Sequence, residues 1–208
     1  MSYGLITETD GRALERSLMR TARRFRCESR GEPLRIVEIG VCHGDTARGI
    51  KAFLDAEGVA FEYVGLDNNR DLPVAVPFEG AQLIVGDSAE TYRLLPWRPH
   101  WIFCDGCHAA NAVMLDFLNF GDQLLPGGEL IFHDAAPYTQ RKLDWQGMGP
   151  KDHVDFGTAT RTAARRLGLL DGARSDWSLV EQTWEPSWDS GGTIVAEKLR
   201  DATDPVMP

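Results

Sequence analysis

From Leu34 onward, short apolar runs recur, and each ends in Gly or Asp before a helical stretch begins. This is the feature that most constrains the fold. LRIVEIG reads as a buried strand, and TARGIKAFLDAEG as a helix stopped at Gly58. FEYVGLD and AQLIVGD read as the second and third strands, with SAETYRLLPW a short helix after them. HWIFCDG is a fourth strand, AANAVMLDFLNFGDQL a helix, and ELIFHD a fifth strand after the turn at Pro126–Gly128. Strands that are apolar throughout, alternating with helices, predict a parallel sheet covered on both faces. WSLVEQTW and GGTIVAEKL then predict a strand pair that closes the sheet. The expectation is a Rossmann-like, doubly wound α/β fold. It has about seven strands, mostly parallel, with an antiparallel strand near the C-terminus.

With 208 residues, the chain suits a single domain. Its parts are an N-terminal helical segment (1–30), a core (34–134), a lid or substrate loop (135–157), and a closing helix and strand pair (158–199). Leu14, Leu18, Met19 and Phe25 are spaced for an amphipathic helix, and Arg20, Arg23, Arg24 and Arg26 read as its solvated face. Segment 135–157 has no clear period, and a loop this long inside a compact domain is often functional. In it, Trp145 is a candidate for stacking on a substrate ring and His153 reads as solvated. The tail DATDPVMP reads as frayed.

The net charge of −9 argues against a nucleic-acid partner. No apolar run approaches a membrane span, and no secretory signal opens the chain. The expected setting is the cytoplasm. Cys104 and Cys107 form a lone CxxC without the second ligand pair a zinc site needs, so they read as two thiols near a strand end. Trp97 and Trp101 read as core. Trp177, Trp184 and Trp188 read as packing or interface residues.

The candidate site lies at the strand ends. Gly40 and Gly44 bracket a turn that opens a helix, so a ligand can approach the backbone and an anion can meet free N–H groups. The spacing is neither the dinucleotide G-x-G-x-x-G nor a phosphate loop. Asp67, Asp87, Asp105 and Asp134 end strands two to five. Ligands of open α/β sheets bind beyond the carboxyl ends of the strands, so four carboxylates there point to one crowded site. For any single Asp, capping of the next helix is the simpler reading.

These segments resemble class I S-adenosylmethionine-dependent methyltransferases over about residues 34–135 and the closing strand pair. VEIGVCHGDT resembles their first motif, YVGLDNN their second, and IVGDSAE their adenine-contacting segment. The resemblance implies S-adenosylmethionine as cofactor. Glu38 and His43 would lie near its amino-acid end, with Gly40 and Gly44 in the turn. Asp67 and Asn68 would meet the ribose, Asp87 and Ser88 the adenine, and Asp105 would close the pocket. FCDGCH and LLPGGELIFHD resemble a branch related to macrolide-sugar O-methyltransferases, which are magnesium-dependent. That resemblance implies Asp105 and Asp134 as metal ligands and His108 as base. In that branch two adjacent oxygen ligands usually follow the fifth strand, whereas here His133 and Ala135 flank Asp134. His133 would either join a softer mixed ligand set or orient its neighbours, and metal assistance stays open. The implied reaction is O-methylation of a small molecule, with self-association undetermined. A catalytically silent cofactor-binding domain and a nucleotide-dependent oxidoreductase are the alternatives.

Overall fold

The computed structural model describes residues 6–27, 31–68, 77–136, 156–184 and 191–201. The expected lid lies mostly outside these residues, together with Trp145 and His153; so do Trp188 and the tail from residue 202.

The chain opens with helix α1 (Glu8–Phe25), followed by strand β1 (Leu34–Ile39), helix α2 (Asp45–Ala56) and strand β2 (Phe61–Asp67). Strand β3 (Gln82–Val85), the short helix α3 (Ser88–Thr91) and a 3₁₀ turn at Tyr92–Leu94 come next. Strand β4 (Trp101–Cys104), helix α4 (Ala110–Gln123), strand β5 (Glu129–Phe132) and helix α5 (Phe156–Arg166) then lead to β6 (Trp177–Thr183) and β7 (Thr193–Lys198). The seven strands are ordered β3-β2-β1-β4-β5-β7-β6. The first five are parallel, and β7 runs antiparallel to both of its neighbours. The expected doubly wound sheet is the observed one.

Strand alternation divides the core into two layers. Ile36, Tyr63, Phe103 and Ile131 face α1 and α2, where Leu14, Leu18, Ile50 and Leu54 cover them. Val37, Val64, Ile102 and Leu130 face α4 and α5, against Phe117, Phe120, Ala163 and Leu167. Trp101 is wholly buried, Trp97 packs against the second layer, and Trp177 lies 4.7 Å from Phe117. Trp184 is exposed, with Arg161 over its ring at 5.8 Å. No disulfide joins the four cysteines; Cys27 and Cys104 are buried, Cys42 is half-buried and Cys107 is exposed.

Helix α1 starts where Thr7 caps it by accepting from the Asp10 backbone N–H at 3.1 Å. It ends at Arg26, which adopts a left-handed conformation with φ 57°. Of the arginines expected on its solvated face, Arg23, Arg24 and Arg26 are exposed, and Arg20 departs from it. Arg20 makes a two-pronged pair with Glu129, at 3.0 Å through both Nε and Nη2, and a further contact with Glu181 at 3.1 Å. Arg24 pairs with Glu197 at 2.9 Å, and Arg16 with Glu181. The reason is Glu129, a wholly buried carboxylate at the start of β5. It needs cationic and hydroxyl partners, and Ser17 donates to it at 2.5 Å. Hydrophobic spacing places the helix, but only the docked sheet shows that Arg20 turns inward.

At the opposite end of the sheet from the site, His100 is buried, and its Nδ1 accepts from the Arg35 backbone N–H at 3.0 Å. Burial, with the nearby charge of Arg35, lowers its pKa to about 4.

Two stability predictions follow from these contacts. Arg20→Gln strands the Glu129 carboxylate and costs about 2–3 kcal/mol. This is less than for a fully buried pair, because Arg20 is 30% exposed. Thermal unfolding then shows Tm lowered by roughly 4–12 °C; an unchanged Tm refutes the account. For His100, the folded pKa lies below the unfolded value of about 6.5. The unfolded chain therefore binds more protons between pH 6.5 and 4, and stability present above pH 6.5 is lost as pH falls through that window. Denaturant titrations of wild type and His100→Asn give a shallower acid loss in the variant; equal slopes contradict the assignment.

Candidate active site at the carboxyl ends of the strands

The sheet reverses its winding between β1 and β4, which opens a crevice at their carboxyl ends. The turn after β1 lies against the residue after β4. Gly40 has φ 89°, and a Cβ there would meet the Asp105 carbonyl oxygen at 2.3 Å, so only glycine fits. The Asp105 N–H donates to the Ile39 carbonyl at 2.8 Å and the Gly40 N–H to that of Leu66 at 2.8 Å, locking the turn to its neighbours. Cys42 (φ 49°) and Gly44 (φ 74°) complete the left-handed path into α2. No side chain caps the first turn of α2, and His43 is exposed beside it.

The four strand-end carboxylates are not equivalent. Asp67 Oδ2 accepts from the Cys42 backbone N–H at 2.7 Å, tying β2 to the turn, with Asn68 exposed next to it. Asp87 caps α3 through the Ala89 N–H at 2.9 Å, so for this residue the simple capping role is real. The hydroxyl of Ser88 donates to Asp116 at 2.6 Å. Asp116 is buried in α4, and burial, with the charge of Asp87, pushes its pKa up to about 6 against that hydrogen bond. Beneath the turn, Glu38 is 1% exposed and accepts from the Tyr63 hydroxyl at 2.5 Å. Burial raises its pKa to about 8, assisted by Asp105 and Asp67. Glu38 is therefore mostly neutral at pH 7 until a cation approaches it.

Asp105, His108 and Asp134 converge. Each offers one ligand atom, and the three atoms lie within 4.8 Å of one another. His108 Nε2 is 3.4 Å from Asp134 Oδ2 and 3.8 Å from Asp105 Oδ1. Asp134 has φ 50°, a left-handed conformation that Asp tolerates better than most residues and that is enriched at functional sites. His133 is buried beside this group, and both of its ring nitrogens face carboxylates. Nδ1 is 2.9 Å from Asp105 Oδ1, and Nε2 is 3.5 Å from Asp10 Oδ2. Burial opposes the charged ring, but Asp105, Asp134 and Asp10 outweigh it and hold the pKa of His133 well above the usual histidine value. Nδ1 is within hydrogen-bond distance of Asp105, whereas Nε2 faces Asp10 at ion-pair range without forming a hydrogen bond.

Two residues of this arrangement escape sequence reasoning, Asp10 and Asp116. Asp10 follows Thr7 by three positions, which reads as a helix cap. Asp116 lies within an otherwise apolar helical face, the one signal that marks it. Burial opposes ionisation of Asp10, but His133, Thr7 and Gly192 overcome it and set its pKa below the usual carboxylate value.

Residues 37–135 match the family model of a methyltransferase domain. A search of curated proteins finds no match to the chain. Among solved structures, the citrinin polyketide synthase CMeT domain is 21% identical with a TM-score of 0.56, covering 81% of this chain and 47% of that one. An O-methyltransferase from Bacillus cereus in complex with SAH is 18% identical with a TM-score of 0.60, covering 95% and 84%. MycE from the mycinamycin biosynthetic pathway, in complex with Mg and SAH, is 17% identical with a TM-score of 0.53, covering 89% and 51%. The chain spans about half the length of the first and third of these. Residues 37–135, which carry the whole rim from Glu38 to Asp134, match the methyltransferase-domain family model, and the chain as a whole has the Rossmann-like fold of the solved methyltransferases.

Proposed function

We propose that the chain transfers the methyl group of S-adenosylmethionine to a hydroxyl oxygen of a small molecule, assisted by a divalent cation. The observation that carries this reading is the convergence of Asp105, His108 and Asp134 beside the Gly40–Gly44 turn.

The residues present fit both groups. The uncapped first turn of α2 leaves N–H donors for the cofactor carboxylate, and Glu38 beneath it becomes an anion once an ammonium is near. His43 flanks that end. In this reading Asp67 and Asn68 meet the ribose, and Asp87 and Ser88 the adenine. Asp105 and Asp134 give two hard oxygen donors, suited to Mg²⁺ or Mn²⁺. When bound, the cofactor supplies a methyl on a sulfonium, and the cation supplies Lewis acidity toward an acceptor hydroxyl.

The chain's own part is proton handling and placement. His108 Nε2 takes the acceptor proton, and the carboxylates at 3.4 Å and 3.8 Å offset the charge that forms on its ring. Asp105 lies on both the cofactor turn and the acceptor group, so it sets one against the other for an in-line transfer. His133 holds Asp105 in place. The acidic rim and the net charge of −9 disfavour a polyanionic acceptor, which supports a small molecule over a nucleic acid. Among the described residues no helix is long and apolar enough to cross a membrane.

Titration calorimetry with S-adenosylmethionine and S-adenosylhomocysteine yields binding to both in the wild type; binding to neither, in folded protein, refutes the reading. His108→Ala lowers kcat by about 10²–10⁴ with cofactor affinity within about twofold of wild type. A cofactor-binding chain that methylates nothing in a panel of hydroxylated acceptors is instead a silent domain. In a separate measurement, electron paramagnetic resonance detects Mn²⁺ binding that Asp134→Asn abolishes, and chelation lowers turnover. Turnover indifferent to chelators removes the cation from the scheme.

A further inference from the structure

We infer that Arg161 and Trp184 form an acceptor subsite beside the strand-end group, one that takes a small hydroxylated ring bearing a single carboxylate. The inference rests on the reading of Asp105, His108 and Asp134 as the place where the acceptor hydroxyl reacts. It concerns α5 and the end of β6, which lie outside the matched segment 37–135.

The sheet brings these residues to the same end as the site. Strands β5 and β6 are each antiparallel to β7, so they run the same way and both end on the rim. The two ends touch. Gly192, with φ 86°, is held between them: a Cβ there would lie 2.8 Å from the Thr183 carbonyl oxygen and 3.0 Å from the Ala136 nitrogen. Side chains alternate in direction along the end of β6. Thr183 donates to Asp10 on the α1 face at 3.2 Å. Gln182 and Trp184, on either side of it, turn to the α5 face, where both meet Arg161.

Arg161 is half-buried and fixed from three directions. Its Nη2 donates to Gln182 Oε1 at 2.8 Å, its Nη1 reaches the Ala135 carbonyl at 3.4 Å, and its guanidinium lies over the Trp184 ring at 5.8 Å. All three partners are neutral. Arg20, Arg24, Arg98 and Arg174, by contrast, each meet a carboxylate. Burial first, and the charge of Arg165 second, hold the Arg161 pKa below the usual arginine value. The group stays charged nonetheless, so it is a cation that its surroundings leave unbalanced. Two of a guanidinium's five N–H donors go to the two oxygens, which leaves three for a ligand. A fork of donors fixed in this way suits a planar carboxylate, taken through paired N–H···O bonds.

Trp184 is 42% exposed, so the ring beside the cation still offers a flat apolar surface to the body of a ligand. The Ala135 carbonyl that Arg161 touches is one residue past Asp134, and consecutive Cα atoms stand about 3.8 Å apart. The anion subsite therefore adjoins the proposed cation ligand, and one small molecule can reach both. A single positive group on an otherwise acidic rim also sets the charge that is accepted: a monoanion is matched and a polyanion is not.

The test titrates benzoate and its neutral analogue benzamide into the full chain, with and without S-adenosylhomocysteine. It follows the Trp184 indole ¹H–¹⁵N signal, identified by its loss in Trp184→Phe. Benzoate shifts that signal and binds at least tenfold more tightly than benzamide. Arg161→Gln removes the difference, whereas Arg166→Gln, at an exposed position of the same helix, keeps it within twofold. Turnover gives a second readout. Hydroxylated benzoates exceed their methyl esters in kcat/KM by tenfold or more, chiefly through KM, and Arg161→Gln brings the ratio to within twofold of one. Equal responses to benzoate and benzamide, including none to either, overturn the inference, as does a preference that survives Arg161→Gln. Should the wild type methylate no acceptor, the proposed reaction fails while the titration still decides the subsite. Should Arg161→Gln not fold, Arg161→Lys takes its place, keeping the charge without the fork. It lowers the benzoate preference at least threefold, and a smaller change overturns the inference.

Discussion

Everything at the rim depends on the contact between the turn after β1 and the backbone of Asp105 after β4. These are the strands at which the sheet reverses its winding. Gly40 lets the two backbones approach where a single methyl group would collide with the Asp105 carbonyl at 2.3 Å. That approach places the Gly40–Gly44 turn and the Asp105 carboxylate in one crevice. The parallel strands β2, β1, β4 and β5 then bring Asp67, Asp105 and Asp134 to the same end of the sheet. The site is a consequence of sheet order, as in other open α/β folds.

Burial treats each acidic residue of this chain differently, and the partner decides the outcome. Glu129 is wholly buried yet has Arg20 and Ser17, so its charge is matched. Asp10 has His133 and stays ionised. Glu38 has a tyrosine hydroxyl, which is too little, and its pKa rises to about 8. Asp116 has a serine hydroxyl and rises to about 6. The cost of removing a carboxylate from water is similar in kind at all four sites, so the pairing group sets the charge state. The net charge of −9 therefore overstates the negative charge displayed to solvent.

Much of the fold was legible from pattern. FEYVGLD and ELIF are apolar along their length, as strands covered on both faces must be, and the turn residues between elements fall where the elements end. The rim carboxylates were legible because each closes a strand. The inward turn of Arg20 was not, since hydrophobic spacing carries no information about a buried Glu129 that lies 109 residues beyond it. The bond of His133 was equally hidden. In the structure its Nδ1 lies 2.9 Å from Asp105 and its Nε2 3.5 Å from Asp10, two carboxylates far from it in sequence.

Local chemistry thus sets this chain's elements, its tight turn at Gly40 and the residue types available at each strand end. These follow from side-chain periodicity and from which backbone angles a residue tolerates, both properties of short stretches. The assembled fold alone brings Asp10 against His133, across 123 intervening steps of sequence (133 − 10), and divides the strand-end acids into a cap, a turn clasp and a convergent group. Such pairings depend on distances between elements, and those are fixed only when the helices and sheet have packed.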